Sequence, residues 1–255
     1  MRQYALILGV SSGIGAACAR ELSAKGLNIL GLYMRRPKDQ IDSLIHDIES
    51  NGVEAKLIKM NACNYDAMNE LLSSEEFKDF KIKTFIHSLA FGAMKPFISN
   101  DSSNQINKKH IDMTLDVMSN SLVYWSQSLS KNNLFVKGSQ VIAMTSSGAR
   151  KQWLSYGAVS MAKSALESAC RQLAVELATD GVAVNAIQAG VTDTPALRKI
   201  PGNDLMIEKM LDINPHNRLT TPEDIAELTA LIGLSDSTWM TGNVIRADGG
   251  EDIVG

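Results

Sequence analysis

YALILGVSSGIG, residues 4–15, is the stretch that decides the fold. Five aliphatic or aromatic positions in a row read as a strand buried on both faces, and glycines then open a turn into an amphipathic run over 14–25. Gly9 and Gly13 permit a tight turn and close backbone approach, Gly15 lets the helix pack on the sheet, and Ser11, Ser12 and Ile14 complete the loop. The free N–H groups at the start of such a helix suit a pyrophosphate.

Working outward, the alternation repeats. Apolar runs at 28–33, 54–59, 83–88, 139–145, 182–187 and 244–247 read as strands. Amphipathic stretches at 39–51, 65–72, 109–130 and 155–179 read as helices between them. This pattern predicts an α/β fold, a Rossmann-type doubly wound parallel sheet of about seven strands with helices on both faces and right-handed crossovers. No repeat or low-complexity tract divides the chain, so one domain over 1–255 is expected. The polar segment 99–109 and the segment 192–214 read as inserts within it.

Composition narrows the class. The 255 residues are 45% hydrophobic and 21% charged, as in an ordinary globular protein. A net charge of −3 gives no basic field for nucleic acid or an anionic membrane. No apolar run approaches the ~20 residues of a membrane span, and the N-terminus lacks a secretory pattern, so a cytoplasmic protein is expected. Cys18, Cys63 and Cys170 are far apart without ligand spacing, and the four histidines are scattered, which predicts neither disulfide nor metal.

Two further places point to chemistry. The second strand ends LYMRR, residues 32–36, with no carboxylate for ribose hydroxyls; Arg35 and Arg36 instead suit a 2′-phosphate, favouring NADPH. Tyr156 and Lys163 stand seven apart at the start of the longest helix, on one face and about 10 Å apart along its axis. An ammonium beside a phenol is expected to lower the tyrosine pKa. Trp153, three residues earlier, reads equally as a pocket wall and as local packing.

Together with MTSSGA at 144–149, VNAIQAG at 184–190 and Thr241-Gly-x4-Ala-Asp-Gly-Gly250, these motifs resemble the short-chain dehydrogenase/reductase family along nearly the whole chain. Three departures resemble its divergent branch containing bacterial enoyl-[acyl-carrier-protein] reductases. The spacing is Tyr-x6-Lys, with Ser160 where ordinary members place lysine. His87-Ser-Leu-Ala-Phe-Gly92 replaces Asn-Asn-Ala-Gly, and Met118 stands at the usual helical asparagine. The glycine loop is the ordinary one, as in the NADPH-using variety of that branch. Ser146 stands where many enoyl reductases have a second tyrosine and, with Ser147, is similar to the serine of carbonyl reductases.

The resemblance implies roles. Gly9–Gly15 would hold the pyrophosphate, Arg35 and Arg36 the 2′-phosphate, Asn61 and Ala62 the adenine, and Leu89, Ala90 and Lys163 the nicotinamide ribose. Gly190, Val191, Thr192 and Thr194 would hold the carboxamide and phosphate. Tyr156 would stabilise an enolate with Ser146 assisting, while Phe91, Gly92, Ala196 and Leu197 line the substrate and 192–214 closes over it. The implied reaction is NADPH-dependent reduction of the 2,3-double bond of a trans-2-enoyl thioester, carried on acyl-carrier protein or CoA, in fatty acid biosynthesis. The alternative is a carbonyl reductase acting on a ketone or 3-oxoacyl thioester. A nucleotide-binding protein without catalysis is the rival outside enzymes. A homotetramer pairing helices 109–130 and 155–179 is also implied.

Overall fold

The computed structural model describes residues 2–254. Seven strands form one sheet: β1 Arg2–Leu8, β2 Asn28–Tyr33, β3 Ala55–Lys59, β4 Phe80–His87, β5 Phe135–Ser146, β6 Val182–Ala189 and β7 Val244–Ala247. Their order is β3-β2-β1-β4-β5-β6-β7 and every pairing is parallel. The helices are α1 Gly13–Ala24, α2 Lys38–Glu49, α3 Tyr65–Ser73, α4 Lys108–Leu115, α5 Ser121–Lys131, α6 Gly157–Glu176, α7 Asn203–Ile213 and α8 Pro222–Gly233.

The opening stretch explains the layering. Successive side chains on a strand point to opposite faces. Ala5 and Ile7 join one apolar cluster with Ala16 and Leu22 of α1, Leu44 of α2 and Ile225 of α8. Tyr4, Leu6 and Leu8 join the other with Met68 of α3, Trp125 of α5 and Leu166 of α6. Burial on both faces requires an unbroken apolar run, which is what residues 4–8 supply. Strand order reverses between β1 and β4, so a crevice opens beyond their C-terminal ends.

Two expectations change. The helix expected over 109–130 is broken: α4 ends at Leu115, a π-helical turn occupies Asp116–Asn120, and α5 follows. The break is held by Ser121, whose Oγ donates to Val117 O at 2.9 Å and lies 2.8 Å from buried His87 Nε2. The helix expected from 155 starts at Gly157, because Ser155 has φ +61, a left-handed conformation outside helical geometry. The insert 192–214 contains a helix, α7, none of whose side chains is fully buried. No helix among the described residues is long and apolar enough to cross a membrane.

Candidate active site

The loops after β1, β4, β5 and β6 meet at the switch point. Gly9 has φ +86, and a Cβ there would stand 2.6 Å from Ser88 O. A Cβ on Gly15 would overlap Gly9 O and lie 3.0 Å from Gly9 C, so α1 starts pressed against bare backbone. Ser12 caps α1 without a side-chain hydrogen bond, and the first turn carries no acidic residue. The first N–H groups of α1 are therefore available to an anion. Thr194 packs its side chain beside Gly13, and Leu89 lies against Gly9, so the β4 and β6 loops flank the cradle.

Arg35 is exposed at the end of β2, and Arg36 Nη1 lies 3.4 Å from Gln40 Oε1. Asn61 Oδ1 accepts from Cys63 N at 3.1 Å, and buried Ala62 offers its carbonyl to Trp125 Nε1 at 2.8 Å. Both are engaged in holding the β3 end, so only their outward faces remain for an adenine. Ala90 and Phe91 are exposed. Gly92 is enclosed, its missing Cβ pointing at Thr114, Val159 and Met118.

After β6 the candidates divide. Val191 N–H donates to Glu251 Oε1 at 2.9 Å and Thr192 Oγ1 donates to Gly190 O at 2.8 Å. A Cβ on Gly190 would meet the Thr220 hydroxyl and Asp248. Val191 through Glu251 and Gly190 N–H through Ala247 O fasten the loop to the C-terminal segment, Thr192 turns back on the loop itself, and Thr194 faces the glycine cradle. Leu197 is buried and Ala196 is half-buried.

Tyr156 closes the tight turn before α6, and its ring packs on an apolar cluster of Met118, Val159 and Ala162 with Met94 and Leu115. A Cβ on Gly148 would touch both Tyr156 Cε1, at 2.7 Å, and Ser146 Oγ, at 3.1 Å. Ser146 Oγ is buried and makes no hydrogen bond of normal geometry, yet it lies near enough to the phenol to pull its pKa down. Burial outweighs this and raises the Tyr156 pKa above its ordinary 10.0.

Lys163 departs from the expected arrangement. Its Nζ donates to Met144 O at 2.6 Å, beneath the site, and burial pulls its pKa down to about 8. Its charge instead bears on His87, buried nearby and held neutral by desolvation with a pKa of about 3. The ammonium is thus anchored to a β5 carbonyl rather than lowering the phenol pKa.

One group, Glu167, escaped the sequence reading, and Trp153, left open there between pocket wall and packing, has a specific partner. Glu167, one turn beyond Lys163, is buried and accepts from Thr145 Oγ1 at 2.8 Å. A lone acid between Leu166 and Cys170 on a core-facing stripe was the available signal. Trp153 Nε1 donates to Pro201 O at 3.1 Å, joining the turn before Tyr156 to the segment before α7.

A doubly wound parallel sheet with a glycine cradle at its switch point, and a tyrosine and lysine one helix away, define an oxidoreductase of the short-chain dehydrogenase/reductase class that uses a nicotinamide cofactor. The chain belongs to the family described as Enoyl-(Acyl carrier protein) reductase, whose sequence model matches residues 9–251. It is 25% identical over 255 residues to 1-cyclohexenylcarbonyl-CoA reductase of Streptomyces collinus, covering 99% of this chain and 88% of that one. It is 25% identical over 253 residues to an enoyl-[acyl-carrier-protein] reductase [NADH] of Nostoc sp., covering 98% and 96%. An enoyl-[acyl-carrier-protein] reductase (NADH) from Aquifex aeolicus shares the fold with a TM-score of 0.84 at 24% identity, covering 100% and 97% of the two chains.

Proposed function

We propose that the chain reduces the 2,3-double bond of a trans-2-enoyl thioester with NADPH. The observation that carries this reading is the setting of Tyr156: a phenol kept protonated by burial, packed on the apolar cluster of Met118, Val159 and Ala162. Such a phenol is a hydrogen-bond donor for an oxygen that gains charge, and the apolar wall suits an acyl chain. Beside it are exposed apolar side chains, Phe97 over Gly157 and Leu154 at 86% exposure. Met118 fills the place where a polar side chain would serve a proton relay.

The residues present fit the cofactor: the cradle admits only bare backbone, and the α1 N-terminus has no side-chain cap. Gly9–Gly15 and Thr194 would hold the pyrophosphate, Arg35 with Arg36 the 2′-phosphate, and Lys163 the ribose after leaving Met144 O. When bound, the nicotinamide supplies the hydride. Tyr156 donates its O–H to the thioester carbonyl and stabilises the enolate as it forms, and Ser146 Oγ stands beside the same oxygen. Phe91, Gly92, Ala196 and Leu197 border the acyl chain.

The decisive measurement is NADPH oxidation with a trans-2-enoyl and a 3-oxoacyl thioester of the same length. Saturable turnover of the enoyl substrate is expected. Turnover of the oxo substrate alone would replace this reading with a carbonyl reductase in which Ser146 and Tyr156 bind the ketone.

Cofactor preference rests on this chain's own residues, since the named Nostoc relative is an NADH enzyme. Arg35 is exposed where a 2′-phosphate would lie, and Leu32-Tyr-Met-Arg35-Arg36 contains no carboxylate. A hydrogen bond to a charged group contributes about 1.5–3 kcal/mol, so Arg35→Glu should raise KM for NADPH by about 10- to 100-fold. KM for NADH should fall or hold. An unchanged ratio of the two would make Arg35 an ordinary surface arginine.

A further inference from the structure

We propose that Trp153 is a latch that holds the lid segment 192–214 shut over Tyr156. Among the described residues, 195–213 make a single hydrogen bond to the chain outside the segment, from Trp153 Nε1 to Pro201 O at 3.1 Å. The other polar contacts of this stretch are local, such as Arg198 with Asp193, Arg198 with Asp204, and Asn203 Nδ2 to Ile200 O. Leu197 is its only buried side chain. The segment's ends are fastened separately, by the Thr192–Thr220 bridge and by Asn214 Nδ2 donating to Asp248 O at 3.0 Å. Fixed at both ends and tied once near its middle, it has the build of a hinged lid.

The tie reaches the catalytic turn directly. Tyr156 N–H donates to Trp153 O at 3.2 Å, and Ser155 between them has φ +61, a conformation costly for serine and sustained by the surrounding structure. The lid side is equally specific. Gly202 has φ +74, and a Cβ there would stand 3.7 Å from Trp153 Cζ2 and 3.8 Å from Nε1. The indole edge therefore lies along the peptide that starts α7. With the latch made, the lid and the turn carrying Tyr156 are set as one unit; with it broken, both are released. Trp153 is thus a positioning residue, and the role rests on the reading of Tyr156 given above.

The test separates the two. Trypsin cleavage after Arg198 and Lys199, followed by mass spectrometry on protein without substrate, reports lid opening alone. Trp153→Phe keeps an aromatic ring and removes the N–H donor. Losing one neutral hydrogen bond should speed this cleavage about threefold to tenfold. KM for a trans-2-octenoyl thioester should rise by a similar factor while kcat falls less. Gly202→Ala is the second variant: it keeps the indole, strains the left-handed peptide, and should also speed cleavage. Wild-type cleavage rates in both variants would overturn the latch. Faster cleavage with no enoyl turnover in any form would uphold the latch and sink the substrate reading.

Discussion

Tyr156→Phe should lower kcat for the enoyl substrate by about 100- to 1,000-fold, the usual effect of removing one donor to a developing oxyanion. The ring remains, so its packing on the Met118, Val159 and Ala162 cluster remains, and the thermal midpoint should stay within a few degrees. NADPH affinity should also hold, because the cradle lies across the crevice at Gly9–Gly15. This combination separates a lost proton donor from a collapsed site. The pH profile carries the same logic. The Tyr156 pKa is raised above 10.0, so its proton is present from pH 6 to pH 9 and the acidic form persists as pH rises through that range. An alkaline loss in this window belongs to Lys163, whose depressed pKa of about 8 means its charge is lost as pH rises through that value. A kcat for Tyr156→Phe within threefold of wild type would remove Tyr156 from the chemistry and move attention to Ser146.

The fold was legible because strands buried on both faces carry their own signal. The apolar run at 28–33 is β2 at those bounds, and the glycine loop runs from the end of β1 into the first turn of α1 as its sequence requires. What the sequence hid depends on distant partners. The break at Asp116–Asn120 is held by His87, 34 residues away, through Ser121. Trp153 finds Pro201, 48 residues on, and nothing local distinguishes that bond from packing. The spacing of Tyr156 and Lys163 predicted a shared helix face, but Tyr156 stands in the turn just before α6, and the spacing held nothing of the direction of the ammonium. A carbonyl of β5, Met144 O, takes it, a choice made by the packing of α6 on the sheet. Sequence periodicity locates side chains on elements. Where two elements meet, the nearest polar partner decides what those side chains do.

Gly15→Ala should produce the largest loss of cofactor affinity, raising the NADPH dissociation constant by about 100-fold or more, since each hydrogen bond to a charged group contributes about 1.5–3 kcal/mol. The reason is steric. The added methyl would occupy the space of Gly9 O, with Gly9 C at 3.0 Å and Val10 Cα at 3.4 Å, all backbone atoms that no rotamer change can move. Relief requires α1 to shift away from the β1 loop, and its N–H groups leave the pyrophosphate with it. Overpacking of this kind costs about 1–3 kcal/mol, which in a chain of this size lowers the thermal midpoint by roughly 5 °C. Gly52→Ala supplies the contrast. Gly52 also has positive φ, +77, but nothing lies within 4 Å of its added methyl, and it sits in the turn between α2 and β3. Its substitution should cost stability through backbone strain alone and leave the NADPH dissociation constant unchanged. Fluorescence titration of NADPH beside thermal melts of both variants separates loss of fold from loss of cradle. Equal dissociation constants for the two would mean that the pyrophosphate does not rest on the start of α1.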